Sequence, residues 1–155
     1  MNSLDALAQA IEKHNSFVII AHVNMHGDAL GSAAALALAL KEKGKQCFFK
    51  GEGEVPGQLS LLAGIKKLLE LPEMQQYDAA IAVDCAEYER MGIYAPLFLN
   101  ARFKICIDHH ATNKGFGDIN YIKSYPASAQ CVYELLKQLR VNIHGEIAEC
   151  LYAAF

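Results

Sequence analysis

The sequence predicts an α/β domain with a mainly parallel sheet and helices on both faces. Its 155 residues are 53% hydrophobic, which indicates one packed globular domain over 1–155. Segments of strand character alternate with segments of helical periodicity along the whole chain. The strands 17–22, 78–84 and 102–108 are continuously apolar. Such strands are typical of parallel sheets that helices cover on both sides.

Each element follows from its local pattern. The first helix, 3–14, has apolar residues three or four apart behind a potential Ser3 cap, and Gly44 ends the helix 28–43. A helix within 55–71 is closed by Pro72. Apolar and β-branched content predicts the strands. The remaining predicted elements are strands at 46–52 and near 120–123, and helices at 127–140 and 145–155.

Composition and charge exclude several classes of protein. No apolar run reaches the roughly 18–20 residues of a membrane span, and no basic segment leads into a signal-peptide core. We therefore expect a cytoplasmic protein with no membrane partner. A net charge of −3 gives no support to a broad nucleic-acid-binding face. A local site for short or small phosphorylated substrates stays open.

The cysteines indicate reduced, buried thiols. Their number is odd, they lie mostly in apolar runs, and none forms a CxxC pair. Neither a disulfide framework nor a thiolate zinc site is therefore expected. The five are Cys47, Cys85, Cys106, Cys131 and Cys150.

Histidine and aspartate residues end three of the predicted strands or lie shortly after them. Alone, an Asp at a strand end is typical of a helix cap or a turn, and a His on an apolar strand is typical of a core residue. In parallel sheets, however, ligands bind beyond the carboxyl ends of the strands, so these side chains are expected to converge at one edge. They are His22, Asp28, Asp84, Asp108, His109 and His110.

Carboxylates that converge without matching cations raise one another's pKa and destabilise the fold. One divalent metal ion, or two ions that share a bridging carboxylate, removes that repulsion. Mixed Asp and His ligands suit Mn²⁺, Zn²⁺, Co²⁺ or Fe²⁺ better than Mg²⁺, which prefers oxygen ligands. The sequence therefore predicts a metal centre at this edge.

Four motifs, in order, resemble those of the DHH phosphoesterase family. They are HVNMHGDALGS (22–32), VDCAEYERMG (83–92), IDHHATNKGFGDINYI (107–122) and YPASAQCVYELL (125–136). The similarity is strongest to the bacterial nano-RNases, bifunctional oligoribonucleases and PAP phosphatases. It implies hydrolysis of short RNA to 5′-mononucleotides, and also of 3′-phosphoadenosine 5′-phosphate. Family II pyrophosphatases and cyclic-dinucleotide phosphodiesterases are related alternatives.

The resemblance also implies a two-metal mechanism, with Mn²⁺ the expected cofactor, in which a water shared by both ions attacks phosphorus in line. By resemblance, His22 and Asp84 bind the first ion, and Asp28, Asp84 and His109 bind the second. His110 contacts the substrate phosphate and Asp108 supports the histidine pair. Near the phosphate, hydrogen bonding and a capping or packing role are both open for Ser32, Asn113 and Ser128. Gly27 and Gly31 allow a tight loop and a close helix.

Two departures from the family pattern bear on activity. His26 stands where the pattern has an Asp ligand of the first metal, so its imidazole either serves as a ligand or leaves that site broken. As a ligand, it should weaken Mg²⁺ more than Zn²⁺. The family continues past the segment LYAAF into a TDTG-type motif and a second, substrate-gripping domain. The sequence therefore resembles the amino-terminal domain only, incomplete at its carboxyl end.

An inactive domain that retains metal or nucleotide binding is accordingly the main alternative to an active enzyme. The final apolar helix, with Ile147, Leu151, Tyr152 and Phe155, either packs on the sheet or favours a homodimer.

Overall fold

Five parallel strands form one sheet in the order β2-β1-β3-β4-β5. The computed structural model describes residues 2–155. Strand β2 pairs with one edge of β1 and strand β3 pairs with the other, so the direction of winding reverses between β1 and β3. Such a switch point opens a crevice at the carboxyl ends of the strands. The strands are β1 (Ser16–Ala21), β2 (Gln46–Lys50), β3 (Ala79–Val83), β4 (Phe103–Asp108) and β5 (Ile119–Ile122).

Six α-helices connect and cover these strands within residues 2–155. A capping hydrogen bond from the Ala6 N–H to the Ser3 hydroxyl begins the first helix, as the sequence predicts. The helices are α1 (Leu4–Lys13), α2 (Gly27–Glu42), α3 (Ala63–Leu69), α4 (Ala95–Leu99), α5 (Ser128–Gln138) and α6 (Gly145–Ala154).

The two faces of the sheet bury layers of different size. Alternate residues of β1 point to opposite faces, so Phe17 and Ile19 lie in the larger core with α1, α2, α3, α5 and α6. Val18 and Ile20 lie in a smaller core that includes Phe98 of α4. Both sets are fully buried, which explains why the strand is continuously apolar. The predicted parallel sheet with helices on both faces is confirmed.

Helix α6 packs closely on α2. A Cβ atom added to Gly31 would lie 2.5 Å from the carbonyl oxygen of Cys150, so only glycine fits this contact. Ile147 and Leu151 are buried, whereas Tyr152 is 86% exposed and Phe155 is 62% exposed. The helix therefore packs on the domain and still leaves two aromatic rings exposed. Self-association through them stays a prediction.

The predicted helix within 55–71 is present as the short α3, which a 3₁₀ turn at Leu59–Leu61 precedes. The strand predicted to reach residue 52 ends at Lys50. No element was predicted between 84 and 102, where the structure has a 3₁₀ segment, Tyr88–Tyr94, and α4. Gly92, with φ of 61°, interrupts this region, and its pieces are too short to show a helical period. In residues 2–155, no helix combines the length and apolarity needed to cross a membrane.

Candidate metal centre

Strand register places His22 beside Asp84. Ala21 and Val83 form the last pair between β1 and β3. His22 follows Ala21, and Asp84 follows Val83. His22 Nδ1 lies 2.6 Å from the Val23 carbonyl oxygen, which only accepts hydrogen bonds, so Nδ1 carries the proton. The Nε2 lone pair of a neutral ring then points at Asp84 Oδ2, 3.4 Å away.

Asp84 is the central acid of the site. It is 1% exposed and has φ of 60°, a conformation that is uncommon for residues other than glycine. Within residues 2–155, its Oδ2 atom has no hydrogen-bond partner. Buried polar atoms almost always have partners, and an orphaned carboxylate oxygen is costly. A proton on His22 or a cation between the two groups would remove this cost.

His109 meets the same carboxylate from the other side. Its Nδ1 donates to the Tyr125 carbonyl oxygen at 3.0 Å, which leaves Nε2 to face the acids. Nε2 lies 3.4 Å from Asp84 Oδ1 and 3.5 Å from Asp28 Oδ2. Backbone carbonyls therefore orient the Nε2 atoms of both His22 and His109 toward Asp84. Histidine metal ligands are typically oriented in this way.

Asp108 positions His110, as the resemblance implies. The buried Asp108 carboxylate lies 2.7 Å from His110 Nδ1 and accepts a 2.8 Å hydrogen bond from Asn113 Nδ2. Asn113 also donates to the Cys85 carbonyl oxygen at 3.0 Å. The His110 side chain remains 41% exposed. The Asn113 amide is occupied with structural hydrogen bonds, and contacts of His110 and Asn113 with a substrate stay predictions.

Asp28 joins this centre to the start of α5. Its carboxylate accepts N–H hydrogen bonds from Ser128 at 2.9 Å and Ala129 at 3.0 Å, and one from the Ser32 hydroxyl at 3.1 Å. The Ser128 hydroxyl is buried and donates to Asp84 Oδ1 at 2.9 Å. In this structure the hydroxyls of Ser32 and Ser128 therefore position the carboxylates of Asp28 and Asp84. Their hydrogen bonds to a substrate stay predictions.

His26 lies at the exposed rim of the centre. It immediately precedes α2, and its side chain forms no capping hydrogen bond within residues 2–155. Its ring centroid is 4.7 Å from that of His22. The ligand atoms of His22, His26 and Asp84 lie within 4.8 Å of one another. His26 is therefore placed to complete a group of two imidazoles and one carboxylate.

A second group shares Asp84 with the first. Its ligand atoms, also within 4.8 Å of one another, come from Asp84, Asp108, His109 and His110. The resemblance implied Asp28 as the third ligand here, whereas this grouping contains Asp108 and His110 instead. Asp28 is nevertheless within 3.5 Å of His109. Because Asp84 belongs to both groups, two cations at this edge would share its carboxylate.

The charged groups of the centre shift one another's pKa. The Asp84 carboxylate, 3.4 Å from Nε2, raises the pKa of His22 against the opposing effect of burial. Burial acts to raise the pKa of Asp84, but the nearby His22 ring and the Ser128 hydroxyl outweigh it and hold that pKa below its ordinary value. Burial and the charge of Asp84 raise the pKa of Asp28. These acids are therefore best satisfied when positive charge lies among them.

Residues 16–155 match the DHH family, N-terminal domain. The chain belongs to the DHH family. It is 25% identical over 154 residues to a probable bifunctional oligoribonuclease and PAP phosphatase NrnA of Streptococcus mutans, which covers 99% of this chain and 48% of that protein. It is 35% identical over 132 residues to the bifunctional oligoribonuclease and PAP phosphatase NrnA of Thermus thermophilus, covering 84% of this chain and 39% of that protein. The chain thus spans less than half the length of these relatives.

Solved structures show the same fold for this DHH domain. An exopolyphosphatase-related protein from Bacteroides fragilis superposes with a TM-score of 0.84 at 23% identity, over 97% of this chain and 48% of that one. Exonuclease RecJ bound to manganese superposes with a TM-score of 0.52 at 15% identity, over 99% of this chain and 47% of that one.

A cavity of about 380 Å³ opens above the metal centre of the DHH domain. His22, His26, Asp84 and His110 line it. Three other polar residues of its wall were not predicted, because they neither end a strand nor occupy a position to which the family resemblance gives a role. Those residues lie a few positions further along, within the motifs that contain Asp84 and His110. They are Glu87, Arg90 and Thr112.

Proposed function

We propose that this DHH domain provides the metal centre of a phosphoester hydrolase. Its substrates are short oligoribonucleotides, cleaved to 5′-mononucleotides, and 3′-phosphoadenosine 5′-phosphate. The observation that carries the proposal is the buried Asp84 carboxylate, whose oxygens face the Nε2 atoms of His22 and His109. The names of the Streptococcus mutans and Thermus thermophilus relatives support the choice of substrates.

The donor atoms fit two divalent ions that share Asp84. His22, His26 and Asp84 would hold one ion, and Asp84 with His109 would hold the other. Either Asp28, as the resemblance implies, or Asp108 and His110 would complete the second set. Manganese is the proposed metal because mixed imidazole and carboxylate ligands suit it, and because RecJ has been solved with it. When bound, such ions neutralise phosphoryl oxygens and acidify water for attack on phosphorus.

The residues of the chain contribute orientation and charge. The carbonyls of Val23 and Tyr125 fix the rings of His22 and His109, so neither ring must reorient when the site fills. His110 lines the cavity, and the Asp108 carboxylate beside Nδ1 orients the ring so that its other nitrogen would contact a phosphoryl oxygen. Asn113 keeps Asp108 in place.

The test is Mn²⁺-dependent release of mononucleotide from an RNA dinucleotide, followed by chromatography. Asp84→Asn should lower the rate by at least about 100-fold, since a ligand of both groups is lost. Asp118→Asn is the matched control, because the Asp118 carboxylate accepts a backbone N–H from Lys104 near the amino end of β4, whereas Asp84 follows the carboxyl end of the parallel strand β3. Its rate should equal that of the unaltered protein. No metal-dependent release by the unaltered protein would refute a hydrolase that acts alone.

A domain that binds metal or nucleotide without turnover is the second candidate. The exposed imidazole of His26, in place of the Asp in the family pattern, favours it. Mn²⁺ binding detected by electron paramagnetic resonance, together with no release from any substrate, would establish this alternative. Pyrophosphate and a cyclic dinucleotide belong in the same assay. Release of phosphate from pyrophosphate alone, or opening of the cyclic dinucleotide alone, would reassign the substrate.

A further inference from the structure

Arg90 is the single arginine or lysine that lines the cavity above Asp84 within residues 2–155. It is exposed, and within the same residues no carboxylate oxygen lies within 4.0 Å of its guanidinium. Glu87 and Asp84 line the same cavity, yet neither is paired with it. The cation is therefore free to bind an anion that enters the cavity.

The backbone of Arg90 is fixed against the loop that follows β1. Its carbonyl oxygen accepts a 2.6 Å hydrogen bond from the N–H of Val23, the residue after His22. Two residues further on, Gly92 has φ of 61°, and a side chain there would collide with the Glu52 carboxylate. That carboxylate accepts the N–H of Ile93 at 2.8 Å. The arginine side chain thus extends from an anchored backbone beside the candidate metal centre.

The chemistry of the cavity separates two anion positions. The buried ligands around Asp84 serve the phosphate that is hydrolysed. Arg90 is a permanent cation on the exposed wall, and its planar guanidinium can donate two parallel hydrogen bonds to one phosphate. A volume of about 380 Å³ lies within the range of small-molecule sites. The cavity therefore suits a ligand that has a second phosphate near the one at the metal centre.

We propose that Arg90 binds the phosphate of the substrate that is not hydrolysed, and so selects nucleotides with two phosphate groups. The proposal rests on the proposed function and makes Arg90 a specificity-determining residue of that site. A merely solvated surface arginine would show no preference between ligands that differ by one phosphate.

The test compares two RNA dinucleotides that contain a hydrolysis-resistant phosphorothioate linkage, one with a 5′-phosphate and one without. Their affinities for the Mn²⁺-loaded protein are measured by calorimetry. Arg90→Ala should weaken binding of the 5′-phosphorylated dinucleotide by about 10-fold to 100-fold, the range for a lost charge-assisted hydrogen bond. The other dinucleotide should change by less than about twofold. Arg90→Lys should recover part of the affinity, because a point charge replaces the planar donor pair.

Arg102→Ala is the matched control. Arg102 is also exposed, but it lines a groove with Ser16 and Asp78 at the amino ends of the strands. The affinities of Arg102→Ala for both dinucleotides should match those of the unaltered protein. Equal effects of Arg90→Ala on the two dinucleotides, or no effect on either, would overturn the assignment of Arg90. Failure of the unaltered protein to bind both dinucleotides would overturn the proposed function together with it.

Discussion

Replacing His26 by Asp tests whether this position determines the choice of metal. His26 immediately precedes α2 with an extended backbone, φ −128° and ψ −171°. An Asp there can accept a hydrogen bond from the first turn of the helix, which stabilises helices by about 0.5–2 kcal/mol. The same carboxylate also adds a negative charge near Asp84. At about 5 Å and an effective dielectric constant of about 20, that repulsion is roughly 3 kcal/mol before solvent screening.

Screening at this exposed rim reduces the repulsion to about 1 kcal/mol, so the metal-free variant should be close to the unaltered protein in stability. With metal bound, the carboxylate that replaces the imidazole should strengthen binding of Mg²⁺, which prefers oxygen ligands, and weaken binding of Zn²⁺. A gain of about 1.4 kcal/mol for Mg²⁺ corresponds to about 10-fold tighter binding. The ratio of the Zn²⁺ and Mg²⁺ affinities should therefore fall by at least about 10-fold.

Dissociation constants for Mg²⁺, Mn²⁺ and Zn²⁺ are measured by competition calorimetry on both proteins. His144→Asp is the matched control, because His144 immediately precedes α6 with a similar extended backbone and its side chain pairs with Glu42 away from the centre. It reproduces the capping effect without a charge near Asp84. An unchanged affinity ratio in His26→Asp would refute His26 as a ligand. Mononucleotide release that appears only in His26→Asp would identify position 26 as the cause of inactivity.

Three further predictions concern stability and reactivity. Gly31→Ala should destabilise the domain by about 1–3 kcal/mol in urea titration, since its Cβ would lie 2.7 Å from the Cβ of Ala154. Gly57→Ala is the control and should leave the stability unchanged, because no atom lies within 4 Å of the added Cβ. The N–H of Asn15 lowers the pKa of the exposed Asp78 carboxyl. The ionised carboxylate therefore stabilises the folded protein above about pH 4, and this contribution is lost as the pH falls further. Asp78→Asn should therefore lower the free energy of unfolding by about 0.5 kcal/mol at pH 7 and leave it unchanged near pH 2. An equal loss at both pH values would contradict the charge effect. Burial raises the pKa of Cys47 and Cys150 to about 11, so neither should react with iodoacetamide at pH 8 until urea unfolds the protein.

Sequence patterns identified the elements that depend on long or continuous apolar runs. β1, β3, β4 and the helices α1, α2, α5 and α6 lie within one or two residues of their predicted ranges. The region 88–99 was missed because its turns are short and Gly92 breaks them, so no period can develop.

The site was predicted in outline for a related reason. His22, Asp84 and Asp108 lie at the carboxyl ends of strands, and the rule for parallel sheets brings such residues to one edge whatever the strand order. Arg90 and Thr112 lie on connections whose path no periodic pattern describes. They were therefore not recognised as part of the cavity wall. The roles of Ser128 and Asp28 in joining α5 to the centre also depend on contacts across about a hundred residues of chain.

The sequence by itself determined the α/β class, the DHH motifs and the residue types that converge at one sheet edge, because these depend on periodicity and on neighbours along the chain. The tertiary structure alone decided which atoms meet. Strand order places β3 beside β1, and register then brings the Asp84 carboxylate to His22 Nε2. The carbonyls of Val23 and Tyr125 select the nitrogen that each ring presents. The Tyr125 carbonyl and the Asp84 carboxylate approach their histidines from segments remote in sequence, and contacts of about 3 Å between such segments are determined only by the packed fold.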